Sequence, residues 1–125
     1  MSLLDDQLHV LQEKYVGASM QPLPDGSHVL TIPNVKLPDG WSAPQTTVKF
    51  HIAPGYPHGA LDCFWVEPTL RLKNGAQPQN TNITPIPGTG EPWLWFSWHK
   101  SHWNANRDTL TTYMNVIYER FKKAQ

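Results

Sequence analysis

One thiol and two imidazoles are the side chains of this 125-residue chain best suited to nucleophilic or acid–base chemistry: Cys63, His99 and His102. A nucleophilic cysteine needs a lowered pKa, supplied by a base, a cation or a helix N-terminus. Cys63 has Asp62 on one side and Phe64-Trp65 on the other. A carboxylate and an apolar strand both raise a thiol pKa. On a strand, Cys63 shares a face with Leu61 and Trp65, which reads as core rather than as a nucleophile. His99 and His102 stand three positions apart, with Lys100 and Ser101 between them. If that stretch is helical, both rings face one way. They could then donate to an oxyanion or act as acid and base. A metal would need a third ligand, and His58 or Glu91 would have to arrive through the fold. The spacing does not demand this, so neither metal nor cofactor is expected. Asp62 reads as the outward polar residue of an alternating strand, or as a lone general base. No G-x-S-x-G elbow and no glycine-rich phosphate loop accompanies these groups.

The six tryptophans are the second chemical signal. Indoles fill cores, and they also anchor interfaces. Trp93, Trp95, Trp98 and Trp103 fall within eleven residues and match core filling under a loop. Trp41 and Trp93 fall at expected loop positions, which makes them the partner-binding candidates. Ten basic and ten acidic residues give zero formal charge, which argues against nucleic acid as a partner. The one basic cluster, Arg120, Lys122 and Lys123, complements the end of a final helix. A single cysteine forms no internal disulfide and fits a reducing compartment. The first residues show no basic and apolar leader pattern, and no apolar run is long enough to span a bilayer. A cytoplasmic protein without a membrane partner is the expectation.

These residues need elements to position them. Leu4, Leu8, Leu11 and Tyr15 recur at helical spacing and predict a helix over residues 2 to 16, opened by Ser2 and Asp5 as a capping box and stopped at Gly17. Strands are predicted over His28 to Ile32, Thr46 to Ile52 and Leu61 to Val66. A short strand at Met20 to Leu23 pairs across the Asp25-Gly26 turn. Residues 73 to 92, rich in proline and glycine, read as a long irregular loop. The aromatic segment follows. A second helix then spans Thr109 to Lys123, with Leu110, Met114, Ile117 and Phe121 in one stripe and Asp108 as N-cap. There is no internal repeat, and one domain over residues 1–125 is expected.

That order of helix, meander, loop, aromatic segment and helix resembles the ubiquitin-conjugating (UBC-like) fold. Pro54-Gly55-Tyr56-Pro57 sits where that superfamily carries its Tyr-Pro turn, and Trp103 stands five residues before Asp108, as a tryptophan turn precedes the helix after the active site. Gly55-Tyr56-Pro57, Asp62-Cys63-Phe64-Trp65 and Trp95-Phe96-Ser97-Trp98-His99 are similar to the prokaryotic ubiquitin-conjugating-enzyme-like family E. The resemblance implies an α+β fold: an N-terminal helix, a four-stranded antiparallel meander, a long loop, and a C-terminal helix on the same face. It implies a bacterial setting with a ubiquitin-like protein, its activating enzyme and a JAB-type isopeptidase as partners. Conventional members also carry a His-Pro-Asn motif, with the catalytic cysteine roughly eight residues before the tryptophan turn. This chain has no His-Pro-Asn, and counting back from Trp103 lands on Trp95. The expected function is therefore a noncatalytic binding component. The alternative is a noncanonical conjugating enzyme or transferase using Cys63 or His99/His102. A third reading is an unrelated small-ligand domain of similar layout.

Overall fold

The computed structural model describes residues 3–125. Helix α1 runs Leu3–Lys14 and buries Leu11, with Leu4, Leu8 and Tyr15 packed beside it. Asp5 and Asp6 lie in its first turn and Lys14 in its last, each favourable to the helix dipole. Ser2, the other half of the expected capping box, lies outside the described residues. Six strands follow: β1 (Ser19–Pro22), β2 (His28–Lys36), β3 (Gln45–Ile52), β4 (Cys63–Val66), β5 (Thr81–Pro85) and β6 (Pro92–Ser97). Helix α2 (Leu110–Phe121) closes the order.

All pairings are antiparallel, and the sheet order is β1-β2-β3-β4-β6-β5. The first four strands form the expected meander. Between β1 and β2, Gly26 takes φ 87°, and the Asp25 carboxylate accepts the Ser27 N–H at 2.9 Å. These are the local reasons an Asp-Gly pair turns the chain here.

The sheet has six strands rather than the four expected. Residues 73 to 92 are not irregular throughout, because Thr81–Pro85 forms edge strand β5. The aromatic segment begins as a strand too, since β6 inserts between β4 and β5. The N-cap of α2 is Thr109, not Asp108. The Thr109 hydroxyl accepts from the Thr112 N–H at 3.3 Å, and the Thr112 hydroxyl accepts from the Thr109 N–H at 3.0 Å. This closes a capping box.

Register assigns the two faces. Val48 pairs with Ile32 and Val66, Phe50 with Leu30, and Phe64 with Phe96. Paired residues share a face, and these all belong to one core with Leu11, Leu110, Tyr113, Met114, Ile117 and Phe121. Both helices therefore cover the same face. The opposite face carries a smaller cluster of Val29, Trp65 and Ile86, with Leu23, Cys63, Trp93 and Trp95 packed around it.

Candidate functional site

Four segments meet where β4 begins: the turn after β3, Asp62 and Cys63, the stretch from Trp98 to Asp108, and the start of α2. Hydrogen bonds between residues far apart in sequence tie this corner together. The Tyr56 hydroxyl donates to Gln7 Oε1 of α1 at 2.6 Å, and the Leu110 N–H donates to the same oxygen at 3.0 Å. One amide thus fixes α1, the Tyr56 turn and the first turn of α2. Burial pushes the Tyr56 phenol up to about 12, with the Asp108 charge adding to it and the Gln7 bond opposing it. The Trp103 indole donates to the Pro57 carbonyl at 2.8 Å, and its ring lies 6.0 Å from Tyr56. The Tyr113 hydroxyl donates to the Trp98 carbonyl at 2.8 Å. Burial raises the Tyr113 phenol well above its ordinary range, and Cys63 in its ionised form and then Asp62 add to this.

Cys63 is the first residue of β4, opposite Ser97 of β6. It is half-buried on the face away from the helices, packed with the Trp65 cluster. Burial raises its thiol pKa and the Asp62 charge adds to this, while a hydrogen bond with the Trp95 side chain works the other way. At neutral pH the group is held as a thiol, a poor nucleophile.

His99 Nδ1 lies 3.5 Å from Asp62 Oδ1, with both side chains largely in solvent. The stretch holding His99 and His102 is not helical, so their spacing of three does not by itself bring the rings together. His102 is exposed, and its carbonyl accepts from Lys100 Nζ at 2.6 Å. The same ammonium lies 3.1 Å from Asp108 Oδ2. Asp108 also accepts the Asn104 N–H at 2.7 Å. That backbone bond is the main reason its carboxyl sits below the usual range, with Lys100 and then Arg107 adding to it. Asp108 therefore pins the histidine-bearing segment instead of capping α2.

Among the described residues, no three His, Cys, Asp or Glu side chains are grouped as a metal site requires. Glu91 precedes the start of β6 while His99 follows its end, so roughly 20 Å of strand separates them. Trp41 is buried, against the expectation of a partner-facing loop residue. Its indole donates to the Phe121 carbonyl at 2.8 Å, and its ring packs on Phe96 and Phe121. Trp93 lies in β6, not in a loop. It is half-buried on the face opposite the helices, with Lys49 Nζ 4.9 Å from its ring centre.

The sequence reading missed Gln7, Tyr56, Lys100 and Tyr113 as organisers of this corner. Gln7 and Tyr56 are 49 positions apart, and no local pattern signals such a pair. Asp62 was legible as an exposed carboxylate, but not as the neighbour of His99.

The family model for prokaryotic E2 family E matches residues 3–124 of the chain. No curated protein and no solved structure matches it.

Proposed function

The chain belongs to the prokaryotic E2 family E, and from that premise we propose that it acts as a noncatalytic binding component of a bacterial ubiquitin-like modification system. It holds a ubiquitin-like protein or its activating enzyme and forms no thioester of its own. The observation that carries this reading is the pair of positions Cys63 and Trp95. Eight residues before Trp103, where conventional relatives place their nucleophile, stands Trp95, paired with Trp65 inside the sheet. The single thiol lies across the strand ladder from there, half-buried, with its pKa raised by burial and by the Asp62 charge.

Contact falls to the exposed groups of the same corner, His99, His102 and Asp62, and to Trp93 on the open face of the sheet. Trp93 has the half-buried, amphipathic character of an interface anchor. A JAB-type isopeptidase is a further partner of such a system. One observation favours an enzymatic alternative: Asp62 lies close enough to orient His99, and the next residue along is Cys63. In that reading His99 is a general base for transfer or hydrolysis.

Incubating the protein with its cognate ubiquitin-like protein, the activating enzyme and ATP separates the two. A stable noncovalent complex without an adduct is expected. A reducible adduct that disappears in Cys63→Ala overturns the noncatalytic reading. Turnover that is lost in His99→Ala and kept in Cys63→Ala moves the chemistry to the imidazole.

A further inference from the structure

Strand β1 stops short of its neighbour. Its pairing with β2 ends at Ser19 opposite Thr31, while β2 continues to Lys36. Beyond Thr31, among the described residues, no strand lies on that side of β2. The chain leaving α1 turns away over this point: a Cβ on Gly17 would stand 2.7 Å from the Pro33 ring, so only a glycine lets it pass so close. Past Pro33, β2 bulges at Asn34, which takes φ 57°. A notch of ≈ 460 Å³ opens beside this free edge, lined by Lys14 and Tyr15 at the end of α1, by Val35 and Lys36 of β2, and by Tyr118 of α2.

The chemistry of the notch is specific. Its floor is apolar, with Val35 buried and the two tyrosines half-buried. The phenols are close enough that Tyr118 adds to the effect of burial in raising the Tyr15 hydroxyl. Val16, next in the chain, is 87 % exposed. Lys14 and Lys36 are exposed, and neither takes part in an ion pair among the described residues. The neighbouring Lys122 is already paired with Glu119 at 3.1 Å. Lys14 Nζ stands 5.6 Å from the Tyr15 ring centre and Lys122 Nζ 5.7 Å from that of Tyr118, so an open strand edge, an aromatic floor and two cations, Lys14 and Lys36, without a carboxylate partner among the described residues share one groove.

We infer that this notch docks an acidic, extended segment of a partner protein, which adds its backbone to the open edge of β2, rests an apolar side chain on Tyr15 and Tyr118, and sets carboxylates against Lys14 and Lys36. Strand addition of this kind takes affinity from main-chain hydrogen bonds and specificity from alternate side chains. The two lysines favour an acidic segment over a neutral or basic one. The notch lies at the β1–β2 edge and uses none of the corner residues around Cys63, so this inference is independent of the function proposed above.

The test is selection of random peptides displayed on phage against the whole protein, followed by fluorescence anisotropy with the recovered peptide. Peptides carrying Asp or Glu beside an apolar residue are expected. Their affinity should fall at least tenfold in Lys14→Glu/Lys36→Glu and several-fold in Tyr118→Ala. Amide shifts on binding should map to residues 34 to 36. The lysines are exposed, so circular dichroism of the double variant should match the parent. Recovery of no peptide, recovery of peptides without acidic enrichment, or affinity unchanged by the double charge reversal would overturn the inference.

Discussion

On the helix-covered face of the sheet, Leu30, Ile32, Val48, Phe50, Phe64, Leu94 and Phe96 have no exposure at all. On the other face the same strands bury Val29 and Trp65 but carry Thr31, Lys49, Cys63, Trp93 and Trp95 half-buried, under a thin cover of Leu23 and Ile86. Strand β6 shows the contrast within four residues. Leu94 and Phe96 point into the core, while Trp93 and Trp95 point to the thin side. The covered face is built from groups with nothing to offer a partner. The thin face sets indoles, a cation and a thiol around a small buried centre, and these are groups that tolerate partial solvation. On the function proposed above, stability rests on the covered side of the sheet and part of the recognition falls to the other.

The sharpest way to break this comparison is to truncate neighbouring residues of β6. Phe96 stacks on Phe64 at 4.7 Å and meets Phe121 and Trp41. Phe96→Ala should cost about 4 kcal/mol, as large core truncations do. Trp95→Ala should cost less, about 2 kcal/mol, despite removing a larger ring, because that ring is partly in solvent already. Urea unfolding of the two variants checks both values. Equal costs would mean that the thin face is as much core as the other.

A smaller effect is expected at Cys63. Cys63→Ala should cost about 1 kcal/mol and leave partner binding intact. Native thiol labelling at neutral pH should be slower than that of a free cysteine and should accelerate in denaturant. Fast native labelling would place the thiol on the functional side of the comparison.

Acid should loosen the segment that carries the histidines. The folded pKa of Asp108 is depressed, so its contribution is fully present above the unfolded carboxylate value near 4 and is lost as pH falls through the lower folded value. An NMR titration of Asp108 should show this depressed midpoint. Asp108→Asn should remove that part of the acid dependence of stability. An ordinary midpoint would mean that Lys100 and the Asn104 amide do not hold the segment in solution.

The smallest expected change in stability is at the exposed imidazoles. His99→Ala/His102→Ala should leave the melting temperature within about 1 °C, since surface changes cost little. It should weaken binding of the ubiquitin-like protein or its activating enzyme in a titration calorimeter. Unfolding of this double variant would reverse the assignment of structural and functional roles.

What the sequence made legible follows the same division. Where one face is buried and one is wet, the period shows: Thr46, Val48, Phe50 and Ile52 alternate cleanly, and both helices read from their apolar stripes. Where both faces are apolar, the period vanishes. Trp93-Leu94-Trp95-Phe96 reads as a plain aromatic run although it is a strand. Its partner β5 hid for the opposite reason. It is an edge strand, polar at Thr81, Asn82 and Thr84, and its one large aliphatic, Ile83, is 44 % exposed. A solvated edge has little hydrophobic signature to read. The cap of α2 was misplaced by one residue because Asp108 is a good N-cap type, yet its carboxylate is occupied by Lys100 and the Asn104 amide. At the candidate site, residue types were visible but proximity was not. Nothing local ties Asp62 to His99, or Gln7 to Tyr56.

The crossing of chain order and sheet order at the last two strands has a kinetic side. β5 is made before β6, yet among the described residues its only sheet partner is β6, which lies between it and β4. β5 itself must therefore wait unpaired until Pro92 to Ser97 has been laid down, although the chain before it is already tied to Trp41 through Leu72. β5 and β6 then join as a hairpin or in quick succession. Once formed, β5 can peel away while leaving the β4–β6 ladder closed, so its amides form the natural unit of local opening. Native-state hydrogen exchange should find the amides of residues 81 to 84 opening at a fraction of the free energy that guards β3 and β4.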